Sequence, residues 1–153
     1  MANIKMTEEM LMMATFEVFE KMFYLFAEPF RGGGGDYRMS SAVNFRGPVN
    51  GEMQISLSRG IAETMVQNML NLEKNEVTEP LMADCIKESI NMICGNFFRK
   101  YDPEKVFNLS IPSFEMLSAG AKEKEKKEAD LCLSFTADGG YIEVSVRSND
   151  LFQ

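Results

Sequence analysis

The chain has 153 residues and a formal charge of −7, from 16 Lys and Arg against 23 Asp and Glu. Hydrophobic residues make up 45% of the chain, enough for the core of one domain of this length. Histidine is absent, which excludes Ser-His-Asp triads and histidine-ligated zinc sites. The acidic balance argues against a nucleic-acid-binding protein, which carries a basic stripe.

The cysteines and the hydropathy pattern indicate a cytoplasmic protein. Cys85, Cys94 and Cys132 form no C-x-x-C pair, and we interpret them as reduced thiols. No apolar run reaches the roughly eighteen residues that a membrane span requires. Glu8 and Glu9 stand just before the first apolar segment, where a secretory signal would not place acids.

The first half of the sequence predicts a long helix, a hairpin and a shorter helix. Apolar residues at steps of three and four predict the long helix from about Glu8 to Ala27, with Thr7 as its N-cap. The glycine run at 32–35 then predicts a mobile loop. Alternating residues predict the two hairpin strands at 40–46 and 52–58. Helical spacing returns in the shorter helix, at about 60–72.

The second half repeats this order. A long helix is predicted from Glu79 to Tyr101, capped by Thr78 and ended by Asp102-Pro103. Extended pieces follow at 106–111 and 114–118. A charged loop or short helical excursion is predicted at 121–130, and a second hairpin has its strands at 131–136 and 141–147. The sequence therefore predicts one α+β domain over residues 1–153, in two layers, with long helices on one face of an antiparallel sheet and an approximate internal repeat.

The second long helix has two stripes of opposite character. Its apolar stripe is predicted to be buried and comprises Ile86, Ile90, Ile93 and Phe97. The second stripe has the same spacing displaced by two residues, about 200° around the helix, and comprises Asp84, Glu88, Asn91 and Gly95. This second stripe is therefore predicted to face solvent.

The contents of the outward stripe are unusual for a helix interior. Asn91 is a poor helix former, and Gly95 costs about 1 kcal/mol relative to alanine. Gly95 lets another backbone approach closely, Asn91 offers both a donor and an acceptor, and Glu88 offers a fixed charge. The stripe is either a docking face for a partner or a solvated face with a packing glycine.

The pattern Asp84-x₃-Glu88-x₂-Asn91, with Gly95 four residues on and Pro112 downstream, resembles the signature of the CheC/CheX/FliY phosphatases. The segments 88–96, 109–112 and 51–58 agree with it. The resemblance implies two long helices related by a pseudo-two-fold on one side of an antiparallel sheet. The internal repeat predicted above fits that fold independently.

The first long helix distinguishes among these families. CheC and FliY resemble the pattern twice, whereas CheX carries it once. Here the first helix has Glu17 and Glu20 in an E-x-x-E spacing, so the asparagine is missing. The chain therefore resembles CheX. It departs from the family in having Ile90 where a small residue is usual before the asparagine, and in the charged insert at 121–130.

The resemblance implies a substrate and a mechanism. The substrate is a phosphorylated CheY-like receiver domain, which holds its own Mg²⁺ and a lysine, so no cofactor or metal is expected in this chain. Asn91 is implied to orient the attacking water and Glu88 to pair with the receiver's lysine. Asp84 and Gly95 are expected to assist docking, Pro112 to be structural, and the protein to be a homodimer without nucleic-acid or membrane partners.

Two alternatives stay open on the sequence alone. A non-enzymatic adaptor of a two-component pathway could bind a receiver domain through the same helix face. In a scaffold protein the polar stripe would be coincidental, and Glu88 and Asn91 would be buried under another helix.

Overall fold

The structure, a computed structural model, describes residues 4–32, 35–118 and 129–152. Within these ranges it consists of helices packed on one antiparallel sheet. The helices are α1 (Ile4–Phe23), α2 (Arg59–Leu70) and α3 (Glu79–Tyr101), with a 3₁₀ turn at Lys74–Glu76. The strands are β1 (Glu28–Pro29), β2 (Met39–Arg46), β3 (Gly51–Leu57), β4 (Asn108–Leu109), β5 (Glu115–Met116), β6 (Leu131–Ala137) and β7 (Gly140–Arg147).

The sheet order has an internal symmetry. The strands lie in the order β1-β6-β7-β3-β2-β4, every pair is antiparallel, and β5 also pairs with β2. The hairpins β2-β3 and β6-β7 meet at the central β3-β7 pair. The short strand of each half crosses to the hairpin of the other, since β1 pairs with β6 and β4 with β2. The predicted two-layer α+β fold is confirmed.

The sheet buries one apolar face under the helices. On the two central strands, cross-strand partners point to the same side, and each of these side chains is at most 1% exposed; the pairs are Met53–Val146, Ile55–Val144 and Leu57–Ile142. Each such side chain contributes roughly 1.5–3 kcal/mol when fully buried. The alternation seen in the sequence is therefore the side-chain alternation of the sheet.

The second hairpin turns where the sequence predicts. Asp138 and Gly139 have φ values of 47° and 78°, and they are the only residues between β6 and β7. Two consecutive residues with positive φ make a two-residue hairpin turn of the type that an Asp-Gly pair favours.

The first helix differs from its prediction. It begins at Ile4 rather than Glu8 and ends at Phe23 rather than Ala27. Thr7 is not the N-cap, because it lies inside the helix and is fully buried. The helix stops because Tyr24 takes the left-handed conformation with φ 53°, and the Leu25 N–H donates to the Phe19 carbonyl over 3.0 Å. Tyrosine seldom adopts this conformation, so the sequence did not mark the end.

The remaining predicted elements agree with the structure to within a few residues. The helix predicted at about 60–72 is α2, which ends earlier because Asn71 has φ 56°. The extended pieces at 106–111 and 114–118 contain β4 and β5, and β1 was not predicted. Part of the glycine run, residues 33–34, and most of the charged segment, residues 119–128, lie outside the described residues.

Tyr37 precedes β2 and is 6% exposed. Burial, and then the nearby Glu143 carboxylate, raise the pKa of Tyr37 to about 12, and the Ser134 side chain opposes part of this rise. An unfolded tyrosine titrates near 10. The folded state therefore binds this proton more tightly, and the associated stability is complete below pH 10 and lost as the pH rises through about 12.

We expect the urea midpoint of the wild type to fall more steeply between pH 10 and about 12 than that of Tyr37→Phe, which has no phenol to ionise. Exposed Tyr24→Phe is the matched control and should follow the wild type. Parallel pH profiles for wild type and Tyr37→Phe would contradict this assignment.

Candidate functional site

The outward stripe lies on α3, a helix whose two ends are well defined. As the sequence predicts, Thr78 caps the helix, and its hydroxyl accepts a hydrogen bond from the Leu81 N–H over 3.4 Å. Pro80 occupies the first turn, where proline is tolerated. Arg99 and Lys100 occupy the last turn, where cations complement the helix dipole. The helix is unbroken from Glu79 to Tyr101, which confirms the predicted bounds.

The apolar stripe fixes how α3 is rotated on the sheet. Its four members are fully buried, as predicted, at Ile86, Ile90, Ile93 and Phe97. Ser89 is also buried, and its hydroxyl donates to the Ile86 carbonyl over 2.6 Å, so its polar atom is satisfied. Because Ile90 points into the core, the departure from the family's small residue does not reach the outward stripe.

The polar stripe faces outward, as predicted. Asp84 and Glu88 are exposed, and Asn91 and Gly95 are partly exposed. Glu88 and Asn91 are one helical turn apart, a rise of about 4.5 Å. Neither side chain has a hydrogen bond or ion pair with any residue in the described ranges. Their polar atoms are therefore available to solvent or to a partner.

Gly95 keeps the surface open. A Cβ placed on it would meet no atom within 4 Å outside the helix's own backbone. Packing within the chain, the sequence-based alternative for this glycine, therefore does not require it. Since the residue costs about 1 kcal/mol in a helix, what it provides is space above the helix surface.

The corresponding stripe of α1 is occupied differently. The Glu17 carboxylate forms an ion pair with the Lys100 ammonium over 2.8 Å, which ties α1 to the end of α3. Glu20 is exposed and stands where an asparagine would complete the motif. The amide therefore stands on α3 and is missing from the equivalent place on α1.

Pro112 lies outside α3. It is in the segment between β4 and β5 that runs along the edge of β2. Ser110 and Ser113 on either side donate their N–H groups to the Asn44 and Ala42 carbonyls over 2.9 Å each. Proline has no N–H to donate, so an edge position tolerates it.

The cysteines of α3 are not activated as nucleophiles. Burial, and then the neighbouring Asp84, raise the pKa of Cys85, and burial raises that of Cys94 to about 12. Both thiols are protonated at neutral pH and lack the thiolate of a nucleophilic cysteine. No group of three or more Cys, Asp and Glu within residues 4–32, 35–118 and 129–152 is placed to hold a metal ion. In the same ranges no helix is both long and apolar enough to cross a bilayer.

Two flanks of the stripe were missed by the sequence analysis. Met69 of α2 is 42% exposed, and its sulfur lies 3.9 Å from the Cys85 sulfur, beside the acidic end of the stripe. At the other end, the segment after α3 folds back to form a small cleft next to Gly95. The Met69 contact and the cleft both depend on how α2 and the segment after α3 pack against α3. The helical spacing beyond Gly95, which reaches Arg99 and Asp102, was the available signal for the cleft.

Comparisons with known proteins agree on the fold. The structural match to the chemotaxis protein CheX of Vibrio vulnificus covers 94% of this chain and 96% of that protein, at TM-score 0.75 and 18% identity. The match to CheX of Borrelia burgdorferi, solved as a CheX-CheY-BeF₃-Mg²⁺ complex, covers 92% and 96% at TM-score 0.69 and 22% identity. The match to FliY of Thermotoga maritima covers 97% of this chain and 90% of that protein, at TM-score 0.62 and 12% identity.

At these identities, the structural matches establish the fold. A comparison with curated protein sequences finds no match. A family model described as chemotaxis phosphatase CheX matches residues 39–136, a range that contains all of α3 and the hairpin β2-β3. The chain, with its outward acid and amide on α3, belongs to the CheX family.

Proposed function

We propose that this protein dephosphorylates a phosphorylated CheY-like receiver domain, with Asn91 orienting the attacking water and Glu88 docking on the receiver's lysine. The observation that carries the proposal is the outward Glu88 and Asn91 on an unbroken helix, with open space at Gly95. Membership of the CheX family supports it. The CheX of Borrelia burgdorferi was solved in a complex with CheY, and BeF₃ is a phosphoryl analogue.

The reaction requires little chemistry from this chain. Water attacks phosphorus, the bond between phosphorus and the aspartyl oxygen breaks, and inorganic phosphate and the free carboxylate result. The receiver's metal ion and lysine offset the charge on the transferred group. The Asn91 amide cannot take a proton at neutral pH, but it can accept a hydrogen bond from the water and donate another. Its contribution is orientation, which lowers the barrier without base catalysis.

Glu88 has a separate role in this scheme. An exposed carboxylate is strongly hydrated, so it gains little from a single cation in free solution. At a docked surface both charges lose water, and the hydrogen bond between them strengthens. The contact would set the register that brings Asn91, one turn further along α3, to the phosphoryl group.

Asn91→Ala should lower stimulated phosphate release at least about 100-fold, because the water loses its orienting group. Receiver affinity should stay within about threefold, because docking depends on other residues. The measurement is inorganic phosphate released from receivers of the same genome, phosphorylated with a small acyl phosphate, with and without the protein. Exposed Asn75→Ala is the matched control.

Equal rates for wild type and Asn91→Ala would refute the assigned mechanism. Receiver binding by the wild type with no acceleration of phosphate release would favour the adaptor instead.

Glu88→Ala should weaken binding about tenfold, with a smaller change in the rate at saturating receiver. The difference from wild type should be larger at low salt, because screening weakens an ion pair. Titration of a beryllofluoride-loaded receiver at two ionic strengths measures this, with exposed Glu9→Ala as the control. A pure turnover defect at unchanged affinity would contradict the docking role.

Gly95→Ala should separate stability from function. It should raise the free energy of unfolding by about 1 kcal/mol, hence the thermal midpoint by roughly 3 °C, because alanine is the better helix former and the Cβ meets nothing. It should weaken receiver binding at least about fivefold, because the open space is filled. Gly60 of α2 is also free of neighbours, and Gly60→Ala should leave binding unchanged. Full affinity in Gly95→Ala would show that the space is not used.

A further inference from the structure

A cleft of about 130 Å³ lies immediately beyond Gly95 on α3. Its walls come from the last turns of the helix and from the segment that folds back after it; they include Gly95, Phe98, Arg99, Asp102, Lys105 and Phe107. Pro103 and Leu109, the second residue of β4, complete the lining. We refer to it as the α3 cleft.

The α3 cleft continues the candidate docking stripe. From Gly95, steps of four and three reach Arg99 and Asp102, the same spacing that relates Glu88, Asn91 and Gly95. Gly95 belongs to the stripe and also lines the cleft, and a Cβ there would have no neighbour within 4 Å. A partner lying along Glu88 and Asn91 would therefore reach this cleft without leaving the helix face.

The floor of the cleft is aromatic and firmly held. The rings of Phe98 and Phe107 stack with centroids 4.1 Å apart and planes at 18°. Phe98 also contacts Phe45 of β2, with centroids 4.7 Å apart, and is 3% exposed. Packing on both sides fixes these rings, so the cleft is preformed and costs little ordering entropy to fill.

The rim carries charge of a sign opposite to that of the whole protein. Arg99 and Lys105 stand against Asp102, which leaves one net positive charge in a chain of net charge −7. The Arg99 guanidinium donates to the Asn96 side-chain oxygen, which holds it at the edge of the cleft. An acidic group beside an apolar one is the complement of this arrangement.

The size of the α3 cleft limits what enters it. An apolar cavity of about 150 Å³ holds a molecule the size of benzene. The cleft, at about 130 Å³, therefore has room for one apolar side chain of about the size of leucine. A site of this kind, small and aromatic with a charged rim, resembles the anchor pockets that dominate protein interfaces.

We propose that the α3 cleft receives one apolar side chain of the docked receiver domain, flanked by a receiver carboxylate that faces Lys105 and Arg99. The inference rests on the proposed docking of a receiver along α3, and it adds a second anchor beside the Glu88 contact. The anchor stabilises the bound receiver and leaves the orientation of water to Asn91.

The test measures the affinity of the full chain for beryllofluoride-loaded receivers of the same genome, together with phosphate release at increasing receiver concentration. Lys105→Glu reverses the charge at an exposed rim position, and Leu109→Trp fills the cleft from a half-buried one. We expect affinity to fall at least about fivefold and tenfold respectively, with the rate at saturating receiver within about twofold. Circular dichroism and the thermal midpoint establish that each variant is folded.

Arg59→Glu is the matched charge reversal. Arg59 is exposed at the start of α2 and lines a different cleft, and a carboxylate suits that end of a helix. Its affinity should stay within about twofold of the wild type. If Leu109→Trp fails to fold, Lys105→Glu decides the question alone.

Wild-type affinity in either folded variant overturns the α3 cleft as an anchor, while the phosphatase proposal stands if phosphate release is still accelerated. Receiver binding without acceleration overturns the phosphatase proposal, and the affinities still decide the cleft. A wild type that binds none of the receivers overturns both.

Discussion

The burial of one side of α3 governs the rest of this protein's surface. Three isoleucines and a phenylalanine hold the helix on the sheet, and each loses roughly 1.5–3 kcal/mol if it is turned out to water. A rotation that exposed them would also bury Glu88, whose charge costs several kcal/mol without a partner. The rotation of α3 is therefore strongly fixed. The acid, the amide and the glycine face outward because they stand about 200° from that stripe.

A site of this kind needs a rigid support more than it needs reactive groups. Both cysteines of α3 are kept protonated by their surroundings, and the chain has no histidine. The chain offers an oriented amide and a carboxylate, held by a helix that is capped at its start and tied to α1 at its end. In the proposed function, such a surface meets a receiver that already carries the phosphoryl group. The aromatic cleft beyond Gly95 extends the same rigid surface by two turns.

The two halves of the fold share one architecture and differ in surface chemistry. The hairpins meet at the β3-β7 pair, and each half's short strand crosses to the other. The α1 stripe nevertheless has its first acid in an ion pair with Lys100 and a second acid in place of the amide. A repeat built by burial patterns constrains the inward residues of both helices and leaves the outward ones free to differ.

The sequence alone determined the two-layer fold, the bounds of α3 and the faces on which its residues lie. These follow from periodicity and capping, which are local properties of the chain. Only the tertiary structure decided the end of α1 at Tyr24, the crossing of β1 and β4 between halves, and the Met69 flank and aromatic cleft beside the stripe. Each of these depends on contacts between residues distant in sequence, and helical or strand spacing records only which side of an element is buried, not what lies against it.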